Sequence, residues 1–173
     1  MPATYSLIAS NTLSSSASFV TFSSIPATYT DLVFRISSRN DIGGATYGDI
    51  AFRFQNDQGA FYGSTMVRGN GSAASSVRYL SVDSVVADWS QASNGATAST
   101  FGSTEIYIPS YLASINKVSS VFGVGETNAT SAGIAVTAGL YTKTTAITRI
   151  DILGGGGSFV SGSSFFLYGI KNT

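Results

Sequence analysis

The stretch that decides the fold is DLVFRISS, from Asp31 to Ser38. Leu32, Phe34 and Ile36 are large and apolar, and Arg35 lies between two of them. An alternation with a period of two is typical of a β-strand with one buried face, because successive side chains point to opposite sides of the strand. The stretch therefore predicts a half-buried strand.

The same alternation recurs further along the chain. It is found in residues 50–54, 134–140 and 148–152. Within the second of these stretches, Ile134, Val136 and Leu140 share one face, and Ala, Thr and Gly residues share the other. Residues 165–170 are apolar on both faces, which is typical of a central strand that is covered on both sides.

Turn-forming residues separate the predicted strands. Asn70-Gly71, Asn94-Gly95 and the glycine run from Gly154 to Gly157 are examples. About ten short strands, at spacings of about 8–15 residues and without a predicted helix, favour an all-β antiparallel β-sandwich, and we expect a jelly roll. We divide the chain into an N-terminal arm or first strand, residues 1–16, and a single sandwich domain, residues 17–173.

Composition excludes several classes of function. The 173 residues include no histidine and no cysteine, and only 10% of them are charged. Histidine supplies most acid–base chemistry near neutral pH, and cysteine supplies thiol nucleophiles, disulfides and zinc ligands. The nine basic and nine acidic residues balance, so the basic excess that nucleic-acid binding requires is missing. We expect a protein that is not an enzyme and that binds neither nucleic acid nor membrane.

The remaining catalytic candidates have simpler structural interpretations. A serine nucleophile without histidine needs a lysine base, but Lys117, Lys143 and Lys171 belong to no recognisable motif. We expect these lysines at solvent-facing strand edges, where they discourage unwanted strand pairing. Paired carboxylates cleave glycosidic bonds in other proteins, but we expect Glu105 to be partly buried and paired with an arginine instead.

A calcium site stays open as an alternative, although no cofactor is predicted. Asp41 and Asp49 bracket the loop sequence DIGGATYGD, and Asn56-Asp57 follows nearby. Loop carboxylates and carbonyl groups are the oxygen ligands that calcium prefers. The spacing of an EF-hand loop is absent from the sequence.

Aromatic residues in or beside predicted loops are the candidate ligand or interface contacts. They are Tyr47, Tyr62, Trp89, Tyr111 and Tyr141. Aromatic rings stack on the apolar faces of sugars, and Asn or Asp side chains supply the polar contacts. The alternative is that these rings pack loops onto the core or fill a subunit interface, and we favour that alternative.

Four stretches of the chain carry a resemblance to a known group of proteins. They are TYSLIAS at the beginning, SFVTFSSIPATYTDLVFRISSR from Ser18 to Arg39, TFGSTEIYIPSY from Thr100 to Tyr111, and SSFFLYGIKNT at the end. Together they resemble structural proteins of tailed bacteriophages, and the similarity runs through nearly the whole chain. The motifs mark a group of small β-rich virion proteins rather than a catalytic site, so no functional residue is carried over.

The resemblance implies a role in the phage particle. We expect a capsid decoration or cement protein that is located in the virion and stabilises the head by binding major capsid protein subunits or other virion proteins. It also implies a homo-oligomer, and we expect a trimer, with the N-terminal arm from Met1 to Ser16 and the last strand as contact surfaces. The alternative is a tail-fibre, tail-tip or head-fibre module that binds host-surface polysaccharide.

Overall fold

The alternating stretches form the strands of two antiparallel sheets. The computed structural model describes residues 4–128 and 131–172, and this part of the chain holds twelve strands and no helix. The strands are β1 Tyr5–Thr12, β2 Phe19–Phe22, β3 Asp31–Ser38, β4 Tyr47–Phe54, β5 Tyr62–Gly69, β6 Ala74–Val82, β7 Val85–Ala92, β8 Gly102–Ile108, β9 Lys117–Gly125, β10 Gly133–Tyr141, β11 Ile150–Leu153 and β12 Ser164–Ile170.

The two sheets differ in size and pack face to face. The large sheet has eight strands in the order β1-β12-β3-β8-β9-β10-β5-β6, and the small sheet has four in the order β2-β11-β4-β7. Every pair of neighbouring strands is antiparallel. The predicted all-β antiparallel sandwich is therefore confirmed. No described segment forms a helix that is able to span a lipid bilayer.

The large sheet contains two hairpins, β5–β6 and β9–β10, that have no counterpart in the small sheet. Without them, the sheets have the orders β1-β12-β3-β8 and β2-β11-β4-β7, with four strands each. These are the eight strands in two sheets that a jelly roll has, and the order supports that finer prediction. We call these eight strands the body and the two hairpins the extension.

The core of the body contains the apolar residues that the sequence placed on one face. Leu32 and Phe34 on β3 are fully buried, whereas Arg35 is exposed. The Phe34 ring meets Phe22 of the small sheet edge-on, with ring centroids 5.1 Å apart. The contact joins the two sheets directly, because β2 and β3 belong to different layers.

The predicted central strand, residues 165–170, is interior to the large sheet as β12. It pairs with β1 on one side and β3 on the other. Phe165 and Leu167 are fully buried against the small sheet's layer, and Phe166 and Tyr168 are half-buried on the opposite face. The strand is thus central within its sheet, but the second sheet covers only one of its two apolar faces.

Half of the predicted N-terminal arm, residues 1–16, belongs to the large sheet. Residues 5–12 form β1, an edge strand that pairs with β12. Tyr5 and Leu7 are about half exposed at this edge. Residues 1–3 of this arm lie outside the described part of the chain, whereas the last strand, the other predicted contact surface, is described in full as β12.

Candidate interaction surface

The extension presents large apolar side chains to solvent. They lie on the side of the large sheet that faces away from the small sheet, and we call this surface the apolar face. Each is between 37% and 61% exposed: Val67, Leu80, Val118, Phe122, Ile134, Val136 and Leu140. The strand register places them side by side, since Phe122 is directly opposite Val136, which is directly opposite Val67.

The alternation in residues 134–140 forms strand β10, but its larger side chains do not face the core. Ala135 and Thr137 are buried, whereas Ile134 and Val136 are about half exposed. The predicted half-buried strand is therefore confirmed, but the small residues occupy its buried face.

The close approach of β7 explains this reversal. A Cβ atom on Gly133 would lie 2.7 Å from Cβ of Trp89, and one on Gly139 would lie 2.7 Å from Cγ1 of Val85. No real Cβ sits so close to another carbon, so the inner face of β10 has room only for small residues at these positions. The larger apolar residues are therefore left on the outer face.

An ion pair lies beside the apolar face, where the extension meets the body. Arg35 Nη1 is 2.6 Å from Glu105 Oε2, and both side chains are more than one third exposed. The predicted pairing of Glu105 with an arginine is confirmed. Phe122 lies opposite Glu105 on the next strand, and a shallow hollow of about 350 Å³ runs from there to Phe166.

A second cluster joins the extension to the body at Asp88 of β7. This side chain is only 3% exposed, and its Oδ2 forms a salt bridge with Arg68 of β5. The Tyr79 hydroxyl of β6 donates to the same oxygen over 3.3 Å. Within residues 4–128 and 131–172, Asp88 Oδ1 has no hydrogen-bond partner. A buried carboxylate of the body is thus held by both strands of one hairpin.

Asp49 of β4 brings a second carboxyl group to this cluster. Its Oδ1 accepts a hydrogen bond from the Trp89 backbone N–H over 3.0 Å. Burial, together with the neighbouring charge of Asp88, raises the pKa of Asp49 to about 6. Burial also raises the pKa of Asp88, while Arg68 opposes that shift. Two carboxyl groups therefore compete for the charge of one guanidinium group.

Trp89 occupies a strained position in a bulge of β7. The pairing of β4 with β7 shifts between Gly48 and Ile50, and Trp89 has a φ of 56°, in the left-handed region that non-glycine residues rarely adopt. Its ring lies 4.7 Å from that of Tyr47. The Arg68 guanidinium lies 4.3 Å from the Trp89 ring centroid. Arg68 covers part of the surface that a sugar would stack on.

Three of the five candidate contact residues are core residues. Tyr62, Tyr111 and Tyr141 are at most 2% exposed, so they are not accessible as the ligand or interface contacts for which they were candidates. The rings of Tyr62 and Tyr141 stack with centroids 4.6 Å apart. The Tyr141 hydroxyl donates to Asp57 Oδ2 over 2.9 Å. The packing alternative therefore describes these three residues, and only Tyr47 and Trp89 are half-exposed.

The acidic residues considered for calcium each accept hydrogen bonds from the protein itself. Asp41 Oδ1 accepts from the Ser158 N–H over 2.8 Å, and Asp57 Oδ1 accepts from the Gly59 N–H over 3.0 Å. In the described part of the chain, no three acidic side chains gather in a group that is able to hold a metal ion. The calcium alternative gains no support from this arrangement.

Lys117 corrects the expectation that the lysines face solvent. It is 1% exposed, and its ammonium group donates to the carbonyl oxygens of Ala113 and Ile115 at 2.6 Å and of Thr144 at 3.2 Å. Burial lowers its pKa. Lys143 and Lys171, by contrast, are at least partly exposed. The ammonium group of Lys117 ties two loops together instead of protecting an edge.

Sequence reasoning missed the apolar face and the Arg68–Asp88 pair. A signal for the first was present, because the residues that alternate with the apolar ones in β9 and β10 include four glycines: Gly123, Gly125, Gly133 and Gly139. A face rich in glycine indicates close backbone approach. The second had no local signal, since Arg68 and Asp88 lie 20 residues apart.

Comparisons with known proteins add no relative. No protein-family model matches the chain, and no curated protein matches it.

Proposed function

We propose that this protein is a structural component of a tailed-bacteriophage particle, a capsid decoration or cement protein that stabilises the head by binding its neighbours. The resemblance of its sequence motifs to phage virion proteins suggests the particle. The observation that carries the proposal is the apolar face. A surface of contiguous large apolar side chains on a soluble β-sandwich is typical of a protein–protein interface.

The composition of the face fits contact with protein better than contact with a charged ligand. Arg78 is the one charged side chain on the outer side of the four extension strands. Interface cores are depleted in charge in the same way. A subunit that binds only the assembled shell stabilises it by mass action, because every bound copy must be released before the shell comes apart.

The other edge of the large sheet offers a contact to the capsid. The N-terminal strand β1 and the last strand β12 are paired there, so the two predicted contact segments form one surface. Tyr5 and Leu7 are exposed on it. An edge strand has free backbone groups, which are able to pair with a strand of a capsid subunit.

A second candidate function, binding of host-surface polysaccharide by a tail or head fibre, is favoured by the hollow between Phe122 and Phe166. Serine residues and the Arg35–Glu105 pair line it together with these rings. Rings and convergent hydrogen-bonding groups are what a saccharide site requires. The hollow is shallow, and Trp89, the residue best suited to stacking, lies elsewhere.

The number of copies per particle separates the two functions. Purified virions are run on a quantitative gel, and the band of this protein is compared with that of the major capsid protein. Hundreds of copies that scale with the capsid protein support decoration of the head. A handful of copies supports the fibre, and absence from the particle contradicts both proposals.

A further inference from the structure

The apolar face requires a partner, and its size and charges indicate which one. We infer that the apolar face of one copy packs against the same face of a second copy, about a two-fold axis that runs along β10. This inference deepens the proposed function and rests on it for the role of this surface in assembly.

The area of the face is suitable for a stable pairing. Its seven large side chains are each between 37% and 61% exposed. Together they expose apolar surface on the order of several hundred Å², against about 800 Å² in total that each partner of a standard interface contributes. The hydroxyl-bearing residues beside them, such as Thr65 on β5 and Ser120 on β9, supply further area around the apolar centre.

The position of Arg78 sets the orientation of the two copies. Arg78 lies on β6, two strands from β10, and forms no ion pair with any described residue. Glu105 lies on β8, two strands from β10 on the opposite side. A two-fold axis along β10 therefore places β6 of each copy over β8 of the other.

The strand register brings the two charges near each other in this arrangement. Arg78 is in register, through Thr65, Ala138 and Ser120, with Tyr107 of β8. Glu105 is two residues from Tyr107, a distance of about 7 Å along a strand. Packed sheets lie about 10 Å apart, so the long arginine side chain reaches across.

The same symmetry explains why the partner is a second copy. A two-fold contact uses the same patch on both subunits, so the apolar rows meet each other and each copy supplies both the cation and the carboxylate. The contact also covers the face before the protein meets any particle, which leaves the β1 edge of each copy as the surface that binds the capsid. An apolar patch of this size is otherwise a liability in water.

The mass of the protein in solution tests the inference. Sedimentation and light scattering of the full chain are expected to give a concentration-dependent dimer, twice the chain mass of 17.9 kDa. Val136→Glu, at the centre of the apolar face, is expected to give the monomer. Phe19→Glu is the matched control, because Phe19 and Val136 are both 54% exposed but Phe19 lies on β2 of the small sheet. It is expected to leave the dimer intact.

The orientation has its own test. Arg78→Glu brings a second negative charge near Glu105, and we expect it to weaken the dimer about tenfold or more. Arg78→Lys keeps the cation and is expected to change the dissociation constant by no more than a few-fold. Circular dichroism and thermal melting of each variant confirm that the sandwich is folded, which exposed substitutions preserve.

Three results overturn the inference: a wild-type monomer at about 100 μM, a Val136→Glu dimer, or a trimer. The trimer would agree instead with the expectation drawn from the resemblance. These failures are distinct from a failure of the proposed function. A monomer that is abundant in virions overturns only the pairing, and a dimer that is absent from virions overturns only the role in the particle.

Discussion

The body and the extension of this protein use the same strand pattern in opposite ways. In the body, β3 directs Leu32 and Phe34 inward and exposes Arg35. In the extension, β10 directs Ala135 and Thr137 inward and exposes Ile134 and Val136. Both strands belong to one continuous sheet. The difference shows that period-two alternation identifies a strand, whereas the buried face depends on how closely the next layer approaches.

The spacing between layers accounts for the difference. Against the body, the small sheet stands far enough away for phenylalanine rings to interlock, as Phe22 and Phe34 do. Against the extension, β7 comes so near that a side chain on Gly133 or Gly139 would collide with it. The large apolar side chains of the body therefore lie mostly in the core, whereas the extension leaves several of its own exposed to solvent. Four predictions test this contrast.

Truncation of a phenylalanine in each region is expected to show the largest difference. Phe34→Ala removes a fully buried ring and should lower the free energy of unfolding by about 3–5 kcal/mol. Phe122→Ala removes a half-exposed ring and should cost less than about 1 kcal/mol in the monomer. Urea denaturation measures both losses, at a protein concentration below the dissociation constant of the dimer so that the protein is monomeric. Equal losses would show that the extension has a core of the same kind as the body.

The second-largest effect is expected from loss of the Arg68–Asp88 salt bridge, which joins the extension to the body. Arg68→Met leaves the buried carboxylate of Asp88 without its cation, which we expect to cost about 2–4 kcal/mol, somewhat below a fully buried pair because Arg68 is 21% exposed. The double variant Arg68→Met/Asp88→Asn removes both charges and should recover part of this loss. The same urea titration, extended to Asp88→Asn alone, gives the coupling energy of the pair. A double variant no more stable than Arg68→Met would contradict the assignment of this pair.

Insertion of a methyl-bearing side chain on either face of β10 sharpens the comparison. Gly139→Val places carbon atoms against Val85 and should destabilise the protein by about 1–3 kcal/mol. Ala138→Val, one residue away on the exposed face, should change stability by less than about 0.5 kcal/mol. Thermal melting distinguishes them. If both variants have the same melting temperature, the close contact of β7 with β10 is not present in solution.

The smallest effect is a pH dependence at Asp49. Its pKa is about 6 in the folded protein against 3.8 without the fold, so this carboxyl group destabilises the fold increasingly as the pH rises from about 3.8 to about 6, fully above that range and not at all below it. Asp49→Asn, which keeps the acceptor for the Trp89 N–H, should therefore stabilise the protein by about 1–2 kcal/mol at pH 7.5 and by little near pH 4. Melting temperatures at both pH values measure this, and an equal gain at both would falsify the shift.

The sequence predicted the strands well because alternation is a local property. DLVFRISS, residues 50–54 and residues 165–170 all lie in strands, β3, β4 and β12, although the pattern did not predict which strands pair. The pairing of Glu105 with an arginine was predictable too, although its partner on another strand was not. Tyr62 and Tyr111 were candidate contacts because they lie at predicted loop ends, and only the tertiary structure decided between contact and the favoured packing onto the core.

The amino-acid sequence by itself determined the all-β class, the turns between strands and the scarcity of charge, since each follows from residue type and spacing along the chain. Only the tertiary structure decided that β10 turns Val136 outward, that Lys117 is buried and that Arg68 meets Asp88. These outcomes depend on the distance between layers and on contacts between residues far apart in sequence. The glycines of β9 and β10 indicate a close approach, but the distance itself is set by the side chains of both layers together.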